Sequence, residues 1–220
     1  MSGCASLKFM NNSHIRSITA WLWISQLQYF FAQIYVAKAW SMPYSWQNNY
    51  ISDLGNTACG VYANQFVCSP LHALMNVSFF MLGTTMAVGA WFLGRLVKAT
   101  SITRVGIYFL IIAGIGTVFV GLYPENTVPV IHVAAASLPF VFGNLALILL
   151  GVGIPNMPRW LRIFSVAAGV LALSALVLLL LSVFIGIGKG NVERIISYLQ
   201  TIWMIITGVW LLKSSWVTPR

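Results

Sequence analysis

His72-Ala-Leu-Met-Asn-Val-Ser-Phe-Phe-Met-Leu-Gly83-Thr-Thr-Met-Ala-Val-Gly-Ala-Trp-Phe-Leu-Gly94 carries no Lys, Arg, Asp or Glu from end to end. About 20 such residues, wound as a helix, cross the hydrocarbon core of a bilayer. Five more stretches share its length and apolar character, at residues 17–40, 105–122, 130–151, 163–187 and 195–212. The whole chain agrees: 59% of its 220 residues are hydrophobic, 7% are charged, and mean hydropathy is +0.86. Soluble domains carry roughly a quarter charged residues. The expected fold is all-α: a polytopic membrane protein with six transmembrane helices in one domain over residues 1–220. Its longest loop, 41–71, is too short for a separate core.

A net charge of +9 raises the question of nucleic acid. The basic residues answer it, because they stand singly in short loops rather than in a stripe. They read instead as topology signals. With the N-terminus in the cytoplasm, Lys8, Arg16, Arg95, Lys98, Arg104, Arg159, Arg162, Lys213 and Arg220 lie inside, and Lys38, Lys189 and Arg194 lie outside. That bias predicts a plasma (cytoplasmic, inner) membrane protein with both termini in the cytoplasm. Ala37-Lys38-Ala39 imitates a signal-peptidase site. The apolar run before it is long for a signal peptide and contains Gln26, Gln28 and Gln33, so a retained first helix is expected.

In this topology all three acidic residues, Asp53, Glu125 and Glu193, fall on the outer side. His72 and His132 join them at the outer starts of the second and fourth helices. Acids avoid an inner face crowded with Lys and Arg, which accounts for the carboxylates without a site, though not for the histidines. His72 precedes Gly83, His132 precedes Gly143 and Ser197 precedes Gly208 by the same eleven positions. Together with an acid ahead of each even-numbered helix, this suggests three pseudo-repeated helical hairpins, against the rival of coincidence in a Gly-rich chain. Pairs such as Gly83 with Ala87 allow close helix approach. Trp21, Trp23, Tyr35, Trp40, Tyr44, Tyr50, Trp160, Trp210 and Trp216 read as interfacial anchors.

Several positions can carry chemistry. Cys59 and Cys68, with eight residues between them in loop 41–71, are expected to form an outward disulfide. Metal ligation by that pair lacks a CxxC motif, and Cys4 is expected to be cytoplasmic and free. In Asn49-Tyr-Ile-Ser-Asp53-Leu-Gly55-Asn56, Asp53 and Ser52 either cap exposed amides or supply a general base or ligand. His72 and Asn76, four apart, share a helix face. If Asp53, Glu125, His72 and His132 converge, their donors suit acid–base work or zinc; no metal is assigned and the cofactor is left open. Asp53, His132 and Glu125 are the catalytic candidates, and His72, Asn76, Glu193 and Arg194 the substrate-binding ones. The bland alternative for Glu193-Arg194 is a helix-dipole and loop-holding role. Gly186-Ile-Gly188-Lys189-Gly190 lacks the spacing of a phosphate loop. The two histidines alone do not make a haem site.

Tyr50-Ile-Ser-Asp53-Leu-Gly55, Ser69-Pro70, Gly83, Gly121-Leu-Tyr-Pro-Glu125, His132 and Gly190-Asn-Val-Glu193-Arg194 follow one another in an order that resembles the family of prokaryotic six-helix membrane proteins filed as domain of unknown function 998. The likeness covers nearly the whole chain. It implies that Asp53, Glu125, His132, Glu193 and Arg194 are motif positions, and it brings no settled activity. The Cys59–Cys68 segment is not part of that pattern. The Ile-Ser-Asp-x-Gly element is also similar, remotely, to the damage-regulated autophagy modulator and Sfk-like membrane proteins, whose relatives are associated with lipid handling. Three functions are therefore expected in order: binding or modifying a lipid or lipid-linked headgroup at an outward polar pocket; a non-enzymatic accessory subunit beside other membrane protein subunits; and small-molecule transport. Transport stands last because no acid lies at mid-helix and no sequence signal of a broken helix is evident.

Overall fold

The computed structural model describes residues 2–98 and 100–213, with side chains from residue 12 onward. Trp216 and Arg220, and the side chains of Cys4 and Lys8, lie outside what is described. The chain is mostly helical: α1 (Ser2–Ile24), α2 (Leu27–Lys38), α3 (His72–Leu96), α4 (Ser101–Leu122), α5 (Pro129–Leu138), α6 (Asn144–Gly153), α7 (Arg159–Leu180) and α8 (Lys189–Lys213). Helices α5 and α6 are joined through a π-helical turn, Pro139–Gly143. Counting Pro129–Gly153 as one, five of these helices are long and apolar enough to cross a membrane. The protein is thus a multi-pass, helical membrane protein.

Packing follows a closed ring, α1–α3–α4–α6–α7–α8 and back to α1. The α3–α4 crossing is the tightest because Gly83 and Gly114 bring each helix against the other's backbone. In lipid, where burying apolar surface gives little drive, such close backbone approach supplies much of the association. Local rules set the ends. Thr100 caps α4 by accepting the Thr103 amide at 3.1 Å, and Pro129 opens α5 where its missing N–H costs nothing.

Two expectations need correction. Helices are broken after all, in two places. The stretch 17–40 is split at Ser25–Gln26, where the Ser25 hydroxyl bonds the Leu22 carbonyl at 2.8 Å and the backbone tightens to i→i+3 bonds from Gln26 and Tyr29. Pro139 lacks an N–H inside its helix, and the backbone takes up the fault in a π turn. Asn144 then ties that turn to α8 by donating to the Phe140 and Ile196 carbonyls at 2.9 and 3.2 Å. Nor are all the aromatics anchors. Trp21, Tyr35 and Trp160 are exposed, but Trp23 is fully buried against Trp203, with ring centres 5.6 Å apart. It occupies a slot that Gly89 leaves open.

Loop 41–71 is more ordered than a connection. It holds a 3-10 turn, Ser52–Gly55, and a hairpin of β1 (Cys59–Tyr62) and β2 (Gln65–Cys68). Cys59 pairs with Cys68 and Tyr62 with Gln65. The two-residue turn between the strands puts Ala63 and Asn64 at φ 46° and 62°, the type that matches strand twist. The expected disulfide joins Cys59 to Cys68 at the hairpin's base. A two-stranded ribbon is marginal alone, so replacing both cysteines by Ser is expected to cost about 2 kcal/mol of local stability. Limited proteolysis between Ala58 and Ser69, slow in the wild type and fast in the double variant, checks this. Equal rates would show that the disulfide is dispensable.

Candidate functional site

The segment Asn49–Asn56 is held from every side, and that fixes Asp53. Asp53 reaches back to accept the Tyr50 amide at 2.9 Å, in the manner of a helix-capping carboxylate. The same oxygen, Oδ2, accepts Asn49 Nδ2 at 3.1 Å and, from the hairpin, Gln65 Nε2 at 2.6 Å. The capping reading of Asp53 is therefore right for one oxygen. Its other oxygen, Oδ1, is buried with no hydrogen-bond donor, and Asp53 as a whole is 1% exposed. Ser69 donates to the Leu54 carbonyl at 2.7 Å and Asn76 to the Gly55 carbonyl at 2.9 Å, anchoring the turn on the start of α3. Gly55 is required because a Cβ there would run into the Asn76 side chain.

Glu125 comes from the α4–α5 turn. Its Oε1 accepts Asn56 Nδ2 at 2.8 Å, and its backbone carbonyl accepts the Tyr62 hydroxyl at 2.9 Å. Its carboxyl lies close enough to Asp53 for the two to interact electrostatically. Burial first, and the Asp53 charge second, push the Glu125 pKa up to about 8. Near neutrality Glu125 therefore keeps its proton beside Asp53. Tyr50 and Tyr62, beside them, have their phenol pKa values raised by burial and then by the neighbouring carboxylates, so both stay neutral donors.

His132, on the first turn of α5, lies 2.8 Å from the Tyr123 carbonyl through Nδ1. A carbonyl only accepts, so Nδ1 carries the hydrogen and Nε2 of the neutral ring is left as an acceptor. Glu193, near the start of α8, accepts the Ile51 amide through Oε2.

These side chains share one cavity of about 560 Å³. Asp53, Glu125, His132 and Glu193, with Tyr50 and Tyr62, supply its polar lining from the loops and the helix starts. Val133, Val141, Leu176, Leu179 and Leu180 supply its apolar lining from α5, the π turn and α7. The apolar lining lies between α5 and α7, which pack through α6 and the π turn rather than on each other. Leu180 and Val133 are 75% and 66% exposed, so this part is open along the bundle's side. A smaller space of about 40 Å³ adjoins it through Ser52, His132 and Glu193 and runs inward to Ser197 and Gln200. It has room for roughly three waters.

Not every expected site residue belongs to this cavity. Asp53, Glu125, His132 and Glu193 converge on it. His72 bonds the Ser69 carbonyl at 2.9 Å, and both His72 and Asn76 brace the turn from behind. Arg194 turns away: Nη1 donates to the Trp46, Asn49 and Gly190 carbonyls at 2.8, 3.0 and 2.8 Å, and Nη2 to the Tyr44 hydroxyl. It lies over the Trp46 ring at 4.9 Å. Among the described residues no group of three His, Cys, Asp or Glu is placed to hold a metal ion. Gln65, Asn49, Asn56 and Tyr62 were not legible as site residues. The only sequence hint was the density of amides and tyrosines around Asp53.

Fold and site together define a multi-pass helical membrane protein with a carboxyl-lined cavity open along its side. The chain belongs to the family described as Protein of unknown function (DUF998), whose model matches residues 27–210 and so takes in all three acidic motifs. Among curated proteins and among solved structures, none matches the chain.

Proposed function

We propose that this protein binds, and through its acid–base groups modifies, a lipid or lipid-linked headgroup. The observation that carries the reading is one cavity whose lining joins carboxyl and imidazole groups to aliphatic side chains. Ligand sites of this size are mostly apolar with a few convergent polar groups. A headgroup beside Asp53 and Glu125, with its chain leaving between α5 and α7 toward the bilayer, satisfies both linings. The protonated Glu125 carboxyl and the Nε2 acceptor of His132 then supply an acid and a base.

The reading includes the topology: α1 and α2 together form a sixth span, both termini lie in the cytoplasm, and the cavity faces outward across the plasma membrane. The three-hairpin pseudo-repeat belongs to the same proposal. Transport is the second reading, favoured by the helix breaks at Ser25–Gln26 and Pro139–Gly143, since discontinuous helices frame binding sites in transporters.

Leu176→Trp, which fills the apolar part of the cavity, tests the first reading. Lipid retained through purification in mild detergent, measured by native mass spectrometry, is expected to fall about tenfold, a loss of roughly 1.4 kcal/mol. Val177→Trp, on the exposed side of the same helix, is expected to retain it. Equal retention by both variants would remove the cavity from consideration.

A further inference from the structure

All three acidic residues of this chain line one cavity, and among the described residues no Lys or Arg lines that cavity with them. In a protein of net charge +9 this concentration of negative charge is the feature least explained by packing. Burying carboxyls near hydrocarbon is costly unless something compensates them. Arg194 and Lys189 both act electrostatically on Glu193, but the Arg194 Nη donors are held by carbonyls and the Tyr44 hydroxyl rather than by a carboxylate. Lys189 stands beside the cavity with its ammonium 4.6 Å over the Tyr50 ring. Asp53 Oδ1, on a side chain 1% exposed, is left with no donor.

Resting on the headgroup reading above, we propose that the ligand is a lipid whose headgroup carries a positively charged amine, with the ammonium seated between Asp53, Glu125 and Glu193 and against the faces of Tyr50 and Tyr62. The charge of the site selects against anionic headgroups, which would meet three carboxyls and no cation in the described lining. The tyrosines add what a cation finds on an aromatic face, as Lys189 already shows on Tyr50. The ligand's charge also replaces the proton that Glu125 holds in the empty site. Groups from every wall contribute to this balance: Asp53 on the 3-10 turn, Tyr62 on the hairpin, Glu125 before α5, His132 on α5, and Lys189 and Glu193 on α8. Because the arriving cation displaces a proton from Glu125, binding tightens as pH rises toward about 8.

The test uses the full-length protein in detergent, delipidated, with short-chain dihexanoyl lipids as probes and thermal shift or native mass spectrometry as readout. Phosphatidylcholine and phosphatidylethanolamine carry the cation; phosphatidylglycerol shares their phosphate and chains without it. The expected result is binding of the two cationic lipids at least about tenfold tighter than of phosphatidylglycerol. For phosphatidylcholine, whose charge does not titrate, affinity is expected to rise between pH 6 and pH 8. Glu125→Gln is expected to flatten that rise, and Asp53→Asn to weaken cation binding while leaving chain-dependent binding in place. Binding of all three lipids alike overturns the cation inference and leaves the headgroup reading standing. Tighter binding of an alkyl glucoside than of the cationic lipids overturns it in favour of a hydroxyl-rich headgroup. Binding of none of them, with Leu176→Trp also silent, overturns both.

Discussion

Glu125→Gln is expected to raise stability at pH 8–9 by a few kcal/mol and to remove most of the fall in stability that the wild type shows between about pH 5 and pH 8. The folded carboxyl is raised to about 8, against an unfolded value of 4.5. Between those values the folded protein keeps a proton that the unfolded chain has lost. The folded state therefore binds more protons, and stability falls as pH rises through that window. Below pH 4.5 the group costs nothing; above pH 8 the full cost of a buried carboxylate beside Asp53 is present. Each tenfold gain in proton affinity on folding corresponds to about 1.4 kcal/mol. A Gln side chain keeps an acceptor for Asn56 and an N–H for Asp53 without the charge. Thermal unfolding of both proteins in one detergent from pH 5 to pH 9 decides the matter. A wild type with flat stability across that range, or a variant with the steeper slope, would falsify the pairing of the two carboxyls. A gain in stability at the expense of ligand binding is what a site under functional constraint predicts.

Arg194→Ala is expected to destabilise the loop ahead of Asp53 by about 1–3 kcal/mol or more, the scale for leaving buried acceptors unsatisfied. The substitution strands the Trp46, Asn49 and Gly190 carbonyls that Nη1 now satisfies. It also removes the cation over Trp46 and Tyr44. Gly190 lets the loop come this close, because a Cβ at that position would collide with the Asn49 and Trp46 carbonyls. Arg194→Lys is expected to recover only part of the loss, since a single ammonium cannot reproduce the planar fork that spans these acceptors. Hydrogen exchange is the discriminating measurement. Amides of residues 44–56 are expected to lose protection in Arg194→Ala while α4 and α6 keep theirs. Uniform loss across all helices would mean that Arg194 holds the bundle rather than the loop.

Much of the architecture was legible because its causes are local or statistical. Runs such as 72–94 and 163–187 have no way to be stable in water and one way to be stable in lipid. The Cys59–Cys68 bond needed only two thiols within reach in one loop. That Asp53, Glu125, Glu193, His72 and His132 stand at one end of an alternating set of helices also followed from order along the chain; which of them meet did not, since Glu193 joins the cavity and His72 braces the turn instead. The helix breaks were less accessible. Pro139 signals a fault but not how it is absorbed, and Ser25–Gln26 breaks its helix through a hydroxyl-to-backbone bond that many serines in helices make without breaking them.

The sequence by itself determined that this is a helical membrane protein, that its hairpin loop is disulfide-bonded, and that its few ionisable groups stand at one end. Hydropathy, spacing and charge count act over short distances or over the whole chain, and no contact need be known to read them. Tertiary structure alone decided what each ionisable group does there. Asp53 and Glu125 stand 72 positions apart in the sequence, and come together only because Asn56, Tyr62 and Gln65 close the loop over them. Glu193 and Arg194 are chain neighbours, yet helical geometry sends one to the cavity and the other to the loop carbonyls. The electrostatics of the site depend on those distances, and in a low-dielectric interior a few ångströms decide whether a carboxyl is a cap, an acid or a counter-ion.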